Sequence, residues 1–290
     1  MHSRCVILFF SFFLSALSGI ATPLQRRMTP EDLLKAAEKG DARAQIRLAL
    51  MYHEMQNYSE AVKWYGRAAE QNDPVAQFNL GLMYFNGWGV TRDYAEAVKW
   101  YGKAAAQGNA SAQNSLGAMY ANGRGVEKDY VEAVKRYRQA ADQGHDNGQF
   151  NLGVMYQHGR GVKQDYAEAV NWYRRAAEQN HEDARYNLGM MYYEGKGVTR
   201  DYSEAAKLFG MVADKGGADA QRNLGEMYAD GNGVPRDYVR AYMWLSISAS
   251  AFKGKGINGA AVSRNRLAKK MTAAQLKEAQ RLIRSWQPAS

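Results

Sequence analysis

Apolar residues follow a helical spacing along most of the chain, and the spacing itself repeats. Ala76, Leu80, Met83 and Tyr84 fall at i, i+4, i+7 and i+8, so they share one face of a predicted helix. The segment 97–105 shows the same pattern, built from alanines with one Trp and one Tyr. Because alanines let two helices approach to about 8–10 Å, the two segments predict a pair of packed helices.

This helix pair recurs with a period of 36 residues, and five full copies occupy about 74–250. Each full copy contains a Leu-Gly pair, a Met-Tyr pair and a Gly-x-Gly-Val loop. A shorter copy begins at Ala44 and reaches the next one after 32 residues, because it lacks the four-residue loop insertion. A period of this length is typical of solenoid proteins, in which stacked repeats share one core.

The copies divide the chain into four predicted parts. Residues 1–21 are interpreted as a signal peptide, and residues 22–43 as a linker with an N-terminal capping helix that has Thr29 as N-cap and Pro30 as first residue. Residues 44–250 form six repeats, the first one short. Residues 251–290 form a basic helical C-terminal cap, whose second helix is predicted to begin with a Thr272/Gln275 capping box.

The loop Gly87-Trp88-Gly89 has the spacing of a phosphate-binding loop, but its context excludes that role. A phosphate loop follows a strand and opens a helix, whereas these glycines follow a helix in every full copy. We expect the first glycine to end its helix in the left-handed conformation, and the second, with Val90, to turn the chain toward Asp93. Trp88 is expected to be exposed.

Paired carboxylates precede the second helix of four copies, as Asp93/Glu96, Asp129/Glu132, Asp165/Glu168 and Asp201/Glu204. We interpret them as capping boxes, in which the Asp accepts from the helix and the Glu reaches back to the cap. A catalytic dyad would not occur four times in one chain. No nucleophile elbow is present, so no catalytic residue and no enzymatic activity are predicted.

The segment AQFNLGLMYFNGWGVTRDYAEAVKWYGKAAAQGN resembles a Sel1-like repeat, a branch of the tetratricopeptide-repeat superfamily. The resemblance covers Ala44 to about Ala249 and implies an all-α fold: a right-handed solenoid of antiparallel helix pairs with helical caps. It also implies a scaffold or adaptor that binds a partner protein or peptide on the concave face, which the first helices line. The departures are local: Ala49 for Gly, Gly148 for Ala, and Arg136 and Leu208 for Trp.

A comparison of the copies with one another selects the candidate partner-binding residues. The implied geometry points certain first-helix positions toward the concave face, where they form a row of amides flanked by aromatic rings. These residues are Phe78, Asn79, Phe85, Phe150, Asn151, Tyr186, Asn187, Tyr193 and Asn223. Two interpretations stay open: the row binds an extended peptide, or the amides bond between helices and the rings fill gaps between repeats.

Charge adds a second candidate surface. The chain carries 38 Lys and Arg against 29 Asp and Glu, and removal of Arg4 with the signal peptide leaves a net charge of +8. The C-terminal cap holds one acid after residue 262, Glu278, and seven bases: Arg264, Arg266, Lys269, Lys270, Lys277, Arg281 and Arg284. They are interpreted as a possible contact with an anionic cell-envelope surface, or as an ordinary solvated face.

The first residues predict export. A charged start, an apolar run from Val6 to about Leu17 and small residues before a cut after Ala21 are typical of a secretory signal peptide. We therefore expect a periplasmic or secreted protein with no transmembrane segment after cleavage and no nucleic-acid partner. An envelope- or peptidoglycan-associated factor that uses the basic cap is the alternative to the scaffold.

The positions of cysteine and histidine limit which metal and thiolate sites the chain can form. The single cysteine, Cys5, lies in the signal segment, so the mature chain is expected to have no disulfide and no thiolate ligand. His145 and His181 occupy the same turn position in successive copies, about 10 Å apart by helix spacing. Metal ligands must meet within about 2 Å of one ion, so no metal and no cofactor are predicted.

Overall fold

The structure is a computed structural model that describes residues 29–251 and 258–289. The predicted signal peptide and Cys5 lie outside these residues. Within them the chain forms fifteen helices and no strand, as the sequence predicts. The helices are α1 (Pro30–Glu38), α2 (Ala42–Glu54), α3 (Tyr58–Glu70), α4 (Pro74–Asn86), α5 (Tyr94–Ala106), α6 (Ala110–Asn122), α7 (Tyr130–Asp142), α8 (Asp146–His158), α9 (Tyr166–Glu178), α10 (Glu182–Glu194), α11 (Tyr202–Asp214), α12 (Ala218–Asp230), α13 (Tyr238–Ala251), α14 (Gly259–Ala268) and α15 (Ala273–Ser285).

Helices α2 to α13 form six consecutive pairs. We call the even-numbered members α2 to α12 the first helices and the odd-numbered members α3 to α13 the second helices. Each helix packs against the one that follows it, so the pairs stack into a solenoid; α1 packs on α2 at one end, and α14 and α15 pack on α13 at the other. None of the described helices has the length and apolar character needed to cross a membrane.

Within a pair, a first-helix glycine faces a large second-helix side chain. A Cβ built on Gly153 would lie 2.7 Å from the ring of Tyr173, which is closer than real Cβ contacts. The same approach of 2.7–2.9 Å occurs in all five full copies, at Gly81 on Tyr101, Gly117 on Tyr137, Gly153 on Tyr173, Gly189 on Phe209 and Gly225 on Leu245. The Leu-Gly pair of each repeat therefore sets how closely its two helices pack.

Between pairs, the second loop glycine makes the close contact. A Cβ on Gly161 would lie 2.1 Å from the backbone carbonyl oxygen of Tyr130, the first residue of the preceding second helix. The equivalent glycine in each full copy approaches the preceding pair in the same way, within 2.1–2.4 Å. The first glycine ends its helix at positive φ, from 63° to 78° across the copies, which confirms the predicted left-handed cap.

Trp88 is half-buried, so the prediction of an exposed ring was wrong. Its ring stacks on Tyr58 with centroids 5.7 Å apart and meets His53 edge-on at 5.3 Å. The reason is the contact just described: the loop rests on the preceding pair, which places the residue between the two glycines over that pair's tyrosine. Basic residues take this place in the next three copies, with Arg124 over Tyr94, Arg160 over Tyr130 and Lys196 over Tyr166.

Only half of each predicted second-helix capping box forms. Asp93 accepts from the backbone N–H groups of Ala95 and Glu96, as expected. The N–H of Asp93 instead donates to the carbonyl oxygen of Tyr84 at 3.0 Å, so Glu96 pairs with Lys99 at 3.0 Å. The reciprocal Glu bond was therefore a wrong prediction. The caps at Thr29 and at Thr272/Gln275 are confirmed, the latter with both halves of its box.

A ladder of buried glutamines, which sequence analysis missed, links the pairs. Gln77 lies in α4 and donates from Nε2 to the carbonyl oxygen of Ala69 in α3 at 3.2 Å. Its Oε1 accepts from Nε2 of Gln107, just after α5, at 2.8 Å. The same pairing recurs as Gln45 with Gln71, Gln113 with Gln143 and Gln149 with Gln179. Each rung satisfies a buried amide and a helix-end carbonyl.

We predict that Gly153→Ala lowers the free energy of unfolding by about 1–3 kcal/mol, the usual cost of an overpacked core. The added methyl group must displace the Tyr173 ring, which also contacts Phe150 and hydrogen-bonds Gln157. Gly102→Ala is the matched control, because nothing lies within 4 Å of its Cβ position; it should stabilise by about 0.5–1 kcal/mol. Urea unfolding measures both variants, and equal effects would contradict the steric explanation.

Candidate functional site

The first helices lie side by side and are hydrogen-bonded to one another. Nδ2 of Asn151 in α8 donates to Oδ1 of Asn114 in α6 at 2.9 Å. Nδ2 of Asn223 in α12 donates to the Tyr186 hydroxyl in α10 at 3.3 Å. At the C-terminal end, the Ser263 hydroxyl in α14 donates to Oε1 of Glu226 at 3.1 Å, so α14 extends the row. We call the surface formed by the first helices and α14 the first-helix face.

All nine predicted partner-binding residues lie on first helices, and all nine are half-buried. The amides have different partners. Asn79 donates to the carbonyl oxygen of Val75 in its own helix at 2.9 Å, whereas Asn151 and Asn223 bond to the neighbouring first helix. Asn187 lies beside the phenol of Tyr173, whose pKa burial raises and Asn187 lowers. The amides thus bond between helices in two repeats.

The aromatic candidates form two rows, each backed by a ring of the second helix. In the first row, centroids are 5.6–5.9 Å apart in the pairs Phe78 with Tyr101, Phe150 with Tyr173 and Tyr186 with Phe209. In the second row, Phe85 lies 5.4 Å from Tyr94, and Tyr193 lies 5.2 Å from Tyr202. Because the backing rings fix them, these side chains present a pre-organised aromatic edge.

The two tyrosines among the partner-binding candidates, Tyr186 and Tyr193, stay neutral at physiological pH. Burial raises the pKa of Tyr186, and Asp219 raises it further. Burial also raises the pKa of Tyr193, with added contributions from Tyr202, Glu226 and Asp230. Both phenols therefore keep their proton and offer a hydrogen-bond donor beside an apolar ring, a combination that is common at protein interfaces.

His145 and His181 are helix caps. Nδ1 of His145 accepts from the N–H of Gly148 at 3.1 Å, and Nδ1 of His181 accepts from the N–H of Ala184 at 3.2 Å. The His181 ring also stacks on Phe150, with centroids 4.7 Å apart and planes at 22°. In the part of the chain that the structure describes, no three His, Cys, Asp or Glu side chains form a group able to hold a metal ion.

The seven cations of the C-terminal cap have different environments. Arg281 forms a two-pronged ion pair with Glu278, and Arg264 bonds the side chain of Asn265. Arg266 and Lys270 line a cavity between α12, α13 and α14. The remaining three, Lys269, Lys277 and Arg284, are exposed. The seven candidate anionic-surface residues therefore differ in their contacts.

Comparison with family models identifies Sel1 repeats over most of the chain. The matches cover residues 42–73, 74–109, 110–145, 147–181, 182–217 and 218–251. They coincide with the six helix pairs α2 to α13. A search of curated protein sequences found no significant match.

The chain is also similar to solved structures. The chain is 36% identical to a Sel1 repeat protein from Oxalobacter formigenes, with a TM-score of 0.68, and the match covers 78% of this chain and 91% of that one. It is 30% identical to a protective antigen of uropathogenic Escherichia coli with an SLR fold, covering 88% and 78%, at a TM-score of 0.47. Pseudomonas aeruginosa pilF shares the fold, at 18% identity and a TM-score of 0.57, with 81% and 100% covered.

We predict that His145 makes stability depend on pH. Burial lowers the pKa of its imidazole below the usual 6.5, while Asp146 raises it and His181 lowers it. Between the folded-state pKa and 6.5 the unfolded chain binds more protons, so the free energy of unfolding falls as pH falls through this window. Protonation of Nδ1 would also remove the cap acceptor.

His145→Asn is the variant that tests this, because Asn109 caps the preceding first helix at the equivalent position, accepting from Ala112 at 2.8 Å. Urea unfolding of both proteins at about pH 7.5 and pH 5.5 brackets the ordinary histidine pKa. The wild-type protein should lose more stability on acidification than His145→Asn. An equal loss in both proteins would assign the pH dependence to other groups.

Proposed function

Because the chain belongs to the Sel1 repeat family, whose fold is generally a non-enzymatic protein-interaction scaffold, we propose that it binds a partner protein or peptide on the first-helix face. One observation carries the proposal. Half-buried aromatic rings stand along this face in two rows, each held by a buried or half-buried ring behind it. The residues at these positions differ from copy to copy, although the packing residues around them are constant.

The chemistry of the face suits an extended polypeptide. Rigid aromatic edges provide desolvated contact area at low entropic cost, which is typical of interface anchors. An asparagine amide has two N–H donors, and the bonds of Asn79 and Asn151 use one each. The amide row therefore retains donors for the backbone carbonyl groups of a bound chain.

The proposed scaffold is exported. The charged start, the apolar run and the small residues before Ala21 support a cleaved signal peptide. The mature protein then acts in the periplasm or outside the cell, where a fold without cysteine relies on packing alone. Its net charge of about +8 after cleavage favours acidic partners over basic ones.

We predict that Phe85→Ala with Tyr193→Ala reduces partner capture about tenfold or more, because both changes remove aromatic anchors. The fold should tolerate them, since Ala121 and Ala229 occupy the equivalent positions in other copies. Pull-down from native envelope and from host extract, with quantification of the proteins retained, measures the effect. Binding of the recovered partner is then repeated with purified components.

Val131→Ala is the matched control, because Val131 is a 67% exposed second-helix residue and Ala95 and Ala167 occupy its equivalent positions. This variant should capture as much partner as the wild-type protein. Urea unfolding checks that all three proteins remain cooperatively folded. Full capture by the doubly substituted protein would count against the first-helix face.

The alternative function is an envelope- or peptidoglycan-associated factor that uses the basic cap. It is favoured by the exposure of Lys269 at the end of α14, by that of Lys277 and Arg284 on α15, and by the net positive charge. Long cationic side chains at a surface attract anionic lipid headgroups over about one Debye length. This function predicts binding that is electrostatic and independent of Phe85 and Tyr193.

For this alternative, replacing Lys269, Lys277 and Arg284 together by Gln should weaken binding to phosphatidylglycerol vesicles about a hundredfold, at about 1 kcal/mol per charge. The matched control replaces Lys99, Lys135 and Lys207 by Gln, an equal loss of charge on second helices. Vesicle and cell-wall sedimentation at about 0.1 M and 0.5 M salt measures binding. Binding whose strength changes neither with salt concentration nor in the cap variant would exclude the electrostatic mechanism.

A further inference from the structure

A cavity with charges of both signs lies at the C-terminal end of the first-helix face. It occupies about 380 Å³ between α12, α13 and α14, within the size range of small-molecule sites. The buried side chains of Leu245 and Leu267 contribute apolar lining. The cavity therefore combines a polar rim with an apolar surface.

Two pairs of like charges line the cavity. Glu226 and Asp230 come from α12, Arg266 comes from α14, and Lys270 follows two residues after the end of α14, so each pair is spaced i, i+4. Like charges at this spacing within one helix, as Glu226 and Asp230 are, destabilise it. None of the four is within 4.0 Å of an opposite charge among the described residues, although most acids of the second-helix caps are paired.

Glu226 departs from the repeat at this point. The equivalent position is apolar in the other five copies, as Leu50, Leu82, Ala118, Val154 and Met190. A carboxylate replaces the apolar residue only where the first helix meets the cavity. The Ser263 hydroxyl donates to its Oε1 at 3.1 Å and so fixes its orientation. A position that holds an apolar packing residue in the other copies thus holds an oriented carboxylate in this one.

We infer that this cavity binds a small zwitterion, a free amino acid or a short peptide with free termini. Its ammonium group is held by Glu226 and Asp230, and its carboxylate by Arg266 and Lys270. An apolar side chain of the ligand packs on Leu245 and Leu267. Such a ligand neutralises both charged pairs with charge-assisted hydrogen bonds, whereas an anion or a cation alone leaves one pair without a counter-charge.

This site adjoins Tyr193 of the proposed partner-binding rows, whose pKa is raised by burial and further by Glu226 and Asp230, but it recognises its ligand by different chemistry. Arg266 and Lys270 face two carboxylates across the cavity, so the local field is close to neutral and favours a zwitterion over a polyanion. Its ligand is recognised by terminal charges, and the scaffold's partner is recognised by aromatic contacts. The two proposals are therefore tested with different ligands and with different variants.

Calorimetric titration of the purified protein with L-alanyl-L-leucine tests the inference. Saturable one-to-one binding is expected, and blocking either the amino terminus by acetylation or the carboxyl terminus by amidation should weaken it about tenfold or more. Titration with leucine separates the two sources: tighter binding of leucine assigns the site to free amino acids, and tighter binding of the dipeptide assigns it to peptides. Equal binding of free and blocked dipeptide, or no saturable binding of dipeptide and leucine, would overturn the inference.

Two variants locate the binding. Glu226→Leu introduces the residue that α4 carries at Leu82, and Arg266→Gln removes an exposed charge, so both should fold. Each should weaken binding of the preferred ligand about tenfold or more. Lys207→Gln, an exposed charge loss on α11, and Phe85→Ala should leave it unchanged. Unchanged binding in both cavity variants would place the ligand elsewhere.

Discussion

The solenoid depends on the close approach of a first-helix glycine to a large second-helix side chain. At Gly153 and Tyr173 there is no room for a Cβ, and the same contact recurs in every full copy. Because the buried ring has a fixed position, it also backs the half-buried ring of Phe150 on the first-helix face. One steric constraint thus sets the spacing of the helices within a pair and the orientation of the aromatic residues that we propose to contact a partner.

Contacts between pairs are of a different kind, because they use backbone and amide groups. The second loop glycine lies against the backbone of the preceding second helix, and the buried glutamine ladder bonds three successive helices at their ends. The ladder changes at Arg185, where a guanidinium takes the place of the amide and donates from Nε to Ala177 at 3.2 Å. It ends at Gln221, whose Oε1 is buried without a partner among the described residues. Stability along the array is therefore a sum of neighbour contacts, as expected for a repeat protein.

The functional candidates use positions that these contacts leave free to vary. On the first-helix face, a position holds Phe85 in one copy, Ala121 in the next and Tyr193 in a later one, while the neighbouring Gly and Met-Tyr positions do not change. At the C-terminal end another variable position holds Glu226, where the other copies have an apolar residue. The Leu-Gly and Met-Tyr packing residues are the same in every full copy, whereas the surface residues differ. A solenoid of similar helix pairs can therefore carry two chemically distinct candidate sites. The basic cap contributes to one of them with Arg266 and Lys270.

The sequence by itself determined the features that depend on neighbours within one helix pair. The repeat, the helix pairs, the left-handed first glycine and the Thr272 cap all follow from residues fewer than about forty positions apart with a fixed local geometry. The tertiary structure alone decided which groups of different helices and loops meet. Trp88 is half-buried because its loop rests on Tyr58. Glu96 does not accept from the Asp93 N–H, because this group already donates to the carbonyl oxygen of Tyr84. Gln77 and Gln107 bond across 30 residues, and Arg266 faces Glu226 only because α14 packs beside α12. Such contacts join residues of different helices and loops, so only the packed array brings them together.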